Sequence, residues 1–248
     1  VVRICGSTPQ CFEILDAADL DVDIASLDAV GPVGSVQMLA GETGASDVWY
    51  SWDDGEQWEQ ASAQGINPAG GAVDTLVLMD SDFDEDTGMG WAATGAAESG
   101  VHITIDGGTS WQGTGLMDTD INSVRAAAIT DSENMFLLTR GVSPAEEVFR
   151  YASDWERVYE VAQYGAGLIA APDFVSCVGD YVVVGQTGTL NLALSVDGGQ
   201  MFAEPDYEPN DNINSFLMIG EEDWWVGDDD GDLWVTDDAG DRCWDSYG

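Results

Sequence analysis

One short pattern, Ser/Thr-x-Asp-x-Gly-x-x-aromatic, recurs along this chain and constrains its fold more than any other feature. Ser51-Trp52-Asp53-Asp54-Gly55-Glu56-Gln57-Trp58 is one copy, Thr104-Ile105-Asp106-Gly107-Gly108-Thr109-Ser110-Trp111 a second, and Ser195-Val196-Asp197-Gly198-Gly199-Gln200-Met201-Phe202 a third. Thr236-Asp237-Asp238-Ala239-Gly240 opens another copy, whose aromatic, Trp244, arrives one place late behind Cys243. Tyr151-Ala152-Ser153-Asp154-Trp155 is a worn copy without glycine. The starts at 51, 104, about 151, 195 and 236 give a period of roughly 45 residues, in the range of propeller blades.

Short β-branched or aromatic runs, separated by Gly, Asp, Asn and Pro, fall four to a repeat. In the fourth repeat they are 174–178, 181–185, 192–195 and the stretch from Phe202; in the first, 24–30, 36–41, 48–51 and 58–62. Second strands end in a small residue and glycine: Ala40-Gly41, Thr94-Gly95, Val184-Gly185 and Val226-Gly227. No window keeps a helical period. The expected fold is therefore all-β, a single five-bladed β-propeller of four-stranded antiparallel blades, at about 24–62, 74–115, 124–161, 174–206 and 215–248. The fifth repeat lacks an evident outer strand, and the apolar run Cys11-Phe12-Glu13-Ile14-Leu15 is unassigned. Pairing residues 11–15 with the last repeat would close the ring and remove its open sheet edges.

The charge balance narrows the partners. The chain of 248 residues carries 47 Asp plus Glu against 6 Lys plus Arg, a formal charge of −41, and all six cations are arginines. Such a surface repels nucleic acid and anionic lipid and attracts cationic partners. Two readings stand: adaptation to high salt, where screening quenches the self-repulsion, or a cation-binding role. No run of about twenty apolar residues provides a membrane span. Cys5, Cys11, Cys177 and Cys243 lack zinc spacing, and their even count points to disulfides in an exported protein. A bond from Cys243 to Cys11 or Cys5 would lock the ring; a Cys5–Cys11 pair is the alternative. No basic-then-apolar leader stands at Val1, so an exported protein would have this chain as a processed form. The expected location is extracellular, periplasmic or cell-surface.

The repeated element resembles the Asp-box of bacterial neuraminidase repeat (BNR) proteins, a group that includes sialidases, sortilin-type receptors, Ycf48-type photosystem II assembly factors and some xyloglucanases. The resemblance implies a propeller whose Asp-boxes are structural and whose active face lies on the other side. Ser51, Asp53, Gly55 and Trp58, Thr104, Asp106, Gly108 and Trp111, Ser195, Asp197, Gly199 and Phe202, and Thr236, Asp238 and Gly240 are then fasteners. The carboxylates accept turn N–H bonds, the glycines take positive φ, and the aromatics pack between blades. Sialidase chemistry is not expected: the family draws three arginines from several blades, whereas Arg125, Arg140, Arg150 and Arg157 share one repeat. The family's Arg-Ile/Leu-Pro signature is also missing at Val2-Arg3-Ile4-Cys5.

On the face opposite the boxes stand Glu42, Glu98, Asp118, Asp120, Glu146 and Asp206, any two of which, suitably spaced, could serve a glycosidase. Asp80, Asp82, Asp84 and Asp86 alternate like the start of a calcium loop but lack its twelfth-position glutamate, so a solvated acidic turn is the alternative. Asp228–Asp232 is a second acidic cluster. His102 aligns with Trp49, Phe149 and Trp234, a packing position, and the arginines of the third repeat are expected to pair with neighbouring carboxylates. The sequence thus leads to a non-catalytic exported binding or scaffold propeller for a carbohydrate or protein. A glycoside hydrolase comes second and an assembly-factor-like role third. No catalytic residue is assigned, and calcium is the one ion in prospect.

Overall fold

The computed structural model describes residues 2–4, 12–14, 20, 22–32, 34–61, 74–81, 83, 88–95, 100–117, 121–129, 134–141, 146–160, 169, 171–206, 209, 211–242 and 244–247. The chain divides into two units, Val1–Val124 and Arg125–Gly248. All described regular structure is strand.

In the first unit β1 (Val2–Ile4) and β2 (Phe12–Ile14) form a hairpin. A four-stranded antiparallel meander follows, β3 (Ile24–Val30), β4 (Gln37–Glu42), β5 (Val48–Ser51) and β6 (Glu59–Gln60). A second meander has β7 (Asp74–Met79), β8 (Gly90–Gly95), β9 (Gly100–Thr104) and β10 (Gln112–Met117). The next sheet begins with β11 (Ile121–Ile129), whose strand crosses the division, and continues with β12 (Met135–Gly141), β13 (Glu146–Tyr151) and β14 (Trp155–Glu160). The second unit then adds β15 (Phe174–Val178), β16 (Tyr181–Gly185) and β17 (Leu192–Ser195), and finally β18 (Ile213–Met218), β19 (Trp224–Asp228), β20 (Leu233–Thr236) and β21 (Asp245–Tyr247).

Burial explains the sequence pattern. Second strands of the four sheets that follow the β1–β2 hairpin are buried on both faces, with consecutive buried residues over 38–41, 91–94, 135–139 and 182–185, so they read as apolar runs. The last sheet's Trp224–Asp228 alternates instead and leaves Trp225 exposed. One face of each run is covered because consecutive sheets within a unit share a core. Leu39, Val48 and Tyr50 of one sheet cluster with Val77, Met79 and Trp111 of the next, and Phe136, Leu138 and Val158 cluster with Val175, Val182 and Phe202. Polar side chains also cross between sheets. Ser26 Oγ donates to Thr75 O (2.8 Å) and accepts from Val77 N (2.9 Å), while Asp28 Oδ2 accepts from Met79 N (2.7 Å). The first strands β3 and β7 are thereby joined through side chains that replace a missing ladder.

Several expectations are corrected. The last sheet takes its fourth strand from Asp245–Tyr247, paired Leu233↔Tyr247 to Val235↔Asp245, and Phe12–Ile14 pairs with Val2–Ile4 instead. A polar three-residue edge strand has too little apolar pattern to be recognised, since only one neighbour must accept it. The segment from Phe202 makes a single bridge, Leu194↔Ala203, because Pro205 has no N–H to continue the ladder. Strand register sets Ala93, not Gly95, level with Gly41, Gly185 and Gly227. Cys177 is a buried thiol inside an apolar cluster, not half of a disulfide. Cys5, Cys11 and Cys243 lie outside the described residues.

Candidate functional site

The four good copies of the motif form one turn, built the same way each time. The Ser/Thr hydroxyl is buried, 1–2% exposed at Ser51, Thr104, Ser195 and Thr236. It donates to the aspartate two residues on, at 2.9, 2.8, 2.7 and 2.8 Å, and accepts from the glycine N–H four residues on, at 2.9, 2.9, 2.8 and 3.0 Å. The aspartate's Oδ1 in turn accepts backbone N–H bonds: Asp53 from Gln57, Asp106 from Ser110, Asp197 from Gln200 and Met201, and Asp238 from Asp241. These bonds hold the Asp197 carboxyl below its usual range, with Met201 N–H the largest contributor. At Asp106 burial alone would push the carboxyl up, but bonds from Ser110 and Thr104 outweigh it and leave it lowered. Trp58 and Trp111 return indole N–H bonds to Gly55 O and Gly108 O, at 3.1 and 2.9 Å.

Two successive residues in each turn have positive φ: Asp54 and Gly55, Gly107 and Gly108, Gly198 and Gly199, Ala239 and Gly240, all between +55° and +91°. That is the φ pair of a type I′ turn. The first of the pair also donates its N–H across the sheet, to Val36 O, Gly88 O, Asp180 O and Glu222 O in the four copies, at 2.9–3.1 Å. Each acceptor lies just before the sheet's second strand, so the turn is pinned to the neighbouring hairpin loop. Gly108 and Gly199 also abut the preceding sheet: a Cβ would stand 3.0 Å from Leu39 Cδ2 or Phe136 Cε1. The worn copy replaces this device with a tight connection, Ala152–Asp154, and pairing from Tyr151↔Trp155 onward that is interrupted by a register shift between Phe149↔Arg157 and Val148↔Tyr159.

At the other end of the hairpins the side chains are differently employed. Glu42 Oε2 accepts from Trp49 Nε1 (3.1 Å), and at the corresponding place in the last sheet Asp228 Oδ2 accepts from Trp234 Nε1 (2.7 Å). The indole bond keeps the Asp228 carboxyl low. Asp211, Asp229 and Asp230 bring carboxylate oxygens within 4.8 Å of one another, a set that could hold a cation, and Asp211 and Asp229 push the Asp230 carboxyl up. Asp211 lies outside the acidic run of the sequence; only the approach of two loops finds it. Of the proposed calcium run, Asp80 is half-buried and accepts from Ser81 Oγ, while Asp82, Asp84 and Asp86 lie outside the described residues.

Glu146 is buried, at 6% exposed, and Glu98, Asp118 and Asp120 are outside the description. Asp206, expected opposite the turns, instead shares a cavity with Asp238 and Asp241 of the last turn. His102 stands opposite Ala92 as Trp49 stands opposite Ala40. It is buried, its Nδ1 meets no hydrogen-bond partner, and burial lowers its pKa. Arg150 bonds Glu156 (2.6 Å) and Gly198 O (2.7 Å), and Arg157 bonds Glu147 (2.7 Å), so both serve structure. Trp224 is fully buried, Trp52 stacks on Phe83, and Trp225 is 38% exposed. Among the described residues no helix is long and apolar enough to cross a membrane.

No protein-family model matches the chain, and no curated protein matches it. Solved structures do. A structure described as YCF48 bound to D1 peptide is 15% identical with TM-score 0.60, over 96% of this chain and 72% of that one. The WD40 beta propeller domain of Doa1 is 12% identical with TM-score 0.56, over 92% and 69%. The GH74 enzyme of Niastella koreensis is 14% identical with TM-score 0.61, over 88% of this chain but only 37% of that one. These likenesses show the fold, a β-propeller.

Proposed function

We propose that the chain is an exported, non-catalytic binding or scaffolding propeller of five blades, whose repeated turns are Asp-boxes and whose partner is a protein or a carbohydrate. The observation that most supports this is the likeness over 96% of the chain to a propeller with a peptide bound. The local geometry agrees with it. Every good copy of the turn is spent on holding its own sheet, and Glu42 and Asp228 at the hairpin ends are committed to indole N–H groups. What remains for recognition is loop surface on a stiff scaffold. Export rests on Cys5, Cys11 and Cys243, since Cys177 is a buried thiol; thiol counting on secreted protein tests it.

Binding to glycan and peptide arrays in molar salt, with and without calcium and with a parallel hydrolysis readout, tests the function. Saturable binding without turnover is expected, and turnover would refute the non-catalytic reading. A glycoside hydrolase is the second reading, which the likeness in fold to the GH74 enzyme favours; sugar release in the hydrolysis readout would establish it. An assembly-factor-like role is the third, and retention of one protein on the immobilised chain would identify it.

A further inference from the structure

Between the sheet β15–β17 and the sheet β18–β21 of the second unit lies an open cavity of about 210 Å³. Tyr181, Leu194 and Val196 form its apolar wall. Glu204, Asp206, Glu222, Asp238 and Asp241 surround that wall with carboxylates. Among the described residues none of the five is in an ion pair with an arginine, and the chain has no lysine.

The same place is narrower in the first unit, where a cavity of about 130 Å³ borders Tyr50 and Trp52. Strand register makes Leu194 the counterpart of Tyr50, and Val196 that of Trp52. There Trp52 stacks on Phe83, with ring centroids 5.8 Å apart, and Tyr50 lies against Trp52 at 5.0 Å. Phe83 arrives on the ten-residue connection between β7 and β8, whereas β18 and β19 are joined by only five residues. The short connection brings no aromatic, and Val196 is left 55% exposed. An aromatic stack in one pair of sheets gives way to a larger acidic recess in the other.

The recess does not suit a metal ion. Among the described residues the only three carboxylates within 4.8 Å of one another are Asp211, Asp229 and Asp230, none of which lines it. Its charges are spread around an aromatic and aliphatic wall, which favours a larger, delocalised cation with an apolar stem. Its volume is below the roughly 300–1,000 Å³ of small-molecule pockets, the scale of one side chain. Burial and the neighbouring charges of Glu222, Glu221 and Asp241 also raise the pKa of the Tyr181 hydroxyl.

We propose that this recess takes an arginine side chain from a basic segment of a partner protein. The guanidinium lies against the Tyr181 ring within reach of the surrounding carboxylates, and its methylenes cover Leu194 and Val196. The proposal rests on the binding reading above and names the chemistry of the partner.

The test is fluorescence anisotropy with a labelled Gly-Arg-Gly-Arg-Gly peptide, its lysine and citrulline counterparts, and the doubly substituted Glu222→Gln/Asp241→Asn protein. Asp211→Asn/Asp229→Asn removes the same charge elsewhere and is the reference. The recess variant is expected to weaken arginine-peptide binding about tenfold and the reference less than about twofold. Citrulline should abolish binding, and Val196→Lys should block it with the chain's own cation. Equal weakening in both doubly substituted proteins, or undiminished binding of the citrulline peptide, would overturn the proposal in favour of diffuse electrostatics. Array binding that survives Val196→Lys would refute the recess alone and leave the broader binding function standing.

Discussion

Replacing Ser195 by alanine tests the repeated turn at its best-defined point. The hydroxyl is 1% exposed, accepts from Gly199 N at 2.8 Å and donates to Asp197 Oδ1 at 2.7 Å. Its removal leaves a buried N–H unpaired, which costs about 1–3 kcal/mol. The lost bond to Asp197 adds little more than about 0.5 kcal/mol, because that carboxylate keeps Gln200 and Met201 as donors and is partly solvated. The total is about 1.5–3.5 kcal/mol. Urea unfolding followed by tryptophan fluorescence reads this as a midpoint shift of about 1 M, for a slope of about 2–3 kcal/mol/M. Ser195→Thr is the control: Thr104 and Thr236 make the same bonds in the same place, so it should cost less than about 1 kcal/mol. A double substitution with Asp197→Ala should show coupling of at least about 0.5 kcal/mol. A loss below about 0.5 kcal/mol for Ser195→Ala, or an equal loss for threonine, would refute the account of the turn.

Other outcomes follow from the same structure. Asp28→Ala strands the Met79 N–H, 3% exposed, and should lower stability by about 1–3 kcal/mol in the same urea assay. The lowered pKa of His102 makes the folded state bind its proton less readily than the unfolded one. Its stability contribution is therefore complete above the ordinary histidine value near 6.5 and is lost as pH falls through it. His102→Phe, which restores the aromatic of three other repeats (Trp49, Phe149 and Trp234), should flatten melting temperature against pH between about 7 and 5. The lowered carboxyls of Asp106 and Asp197 act later: their contribution is present above about pH 4 and fades as pH falls further, which separates the two limbs. With a formal charge of −41, the melting temperature should rise from dilute buffer to molar sodium chloride. A flat response would exclude self-repulsion as a significant term.

The turn was legible in the sequence because its bonds are local: Ser195, Asp197 and Gly199 lie within four residues of each other, and a hydroxyl, a carboxylate and a residue at ease with positive φ are each supplied by few residue types. The strands at 174–178, 181–185 and 192–195 were equally legible, since apolar runs bounded by turn residues need no outside information. Partnerships at a distance were not. Nothing near Ser26 or Asp28 announces Thr75, Val77 or Met79, about fifty residues on. Asp211 joins Asp229 and Asp230 only because two loops converge, and Asp206 meets Asp241 only because neighbouring sheets meet.

From its sequence alone, this chain is determined to be a repeat of small antiparallel sheets fastened by hydroxyl–carboxylate–glycine turns. Period, strand pattern and turn chemistry are short-range properties that any tertiary arrangement must respect. Only the tertiary structure decides which strand completes the last sheet, why Cys177 is a thiol among apolar side chains, and where acidic groups surround a usable recess. Those outcomes depend on which surfaces meet. In a chain with carboxylates nearly everywhere, composition cannot tell a solvated acid from one held against a tyrosine.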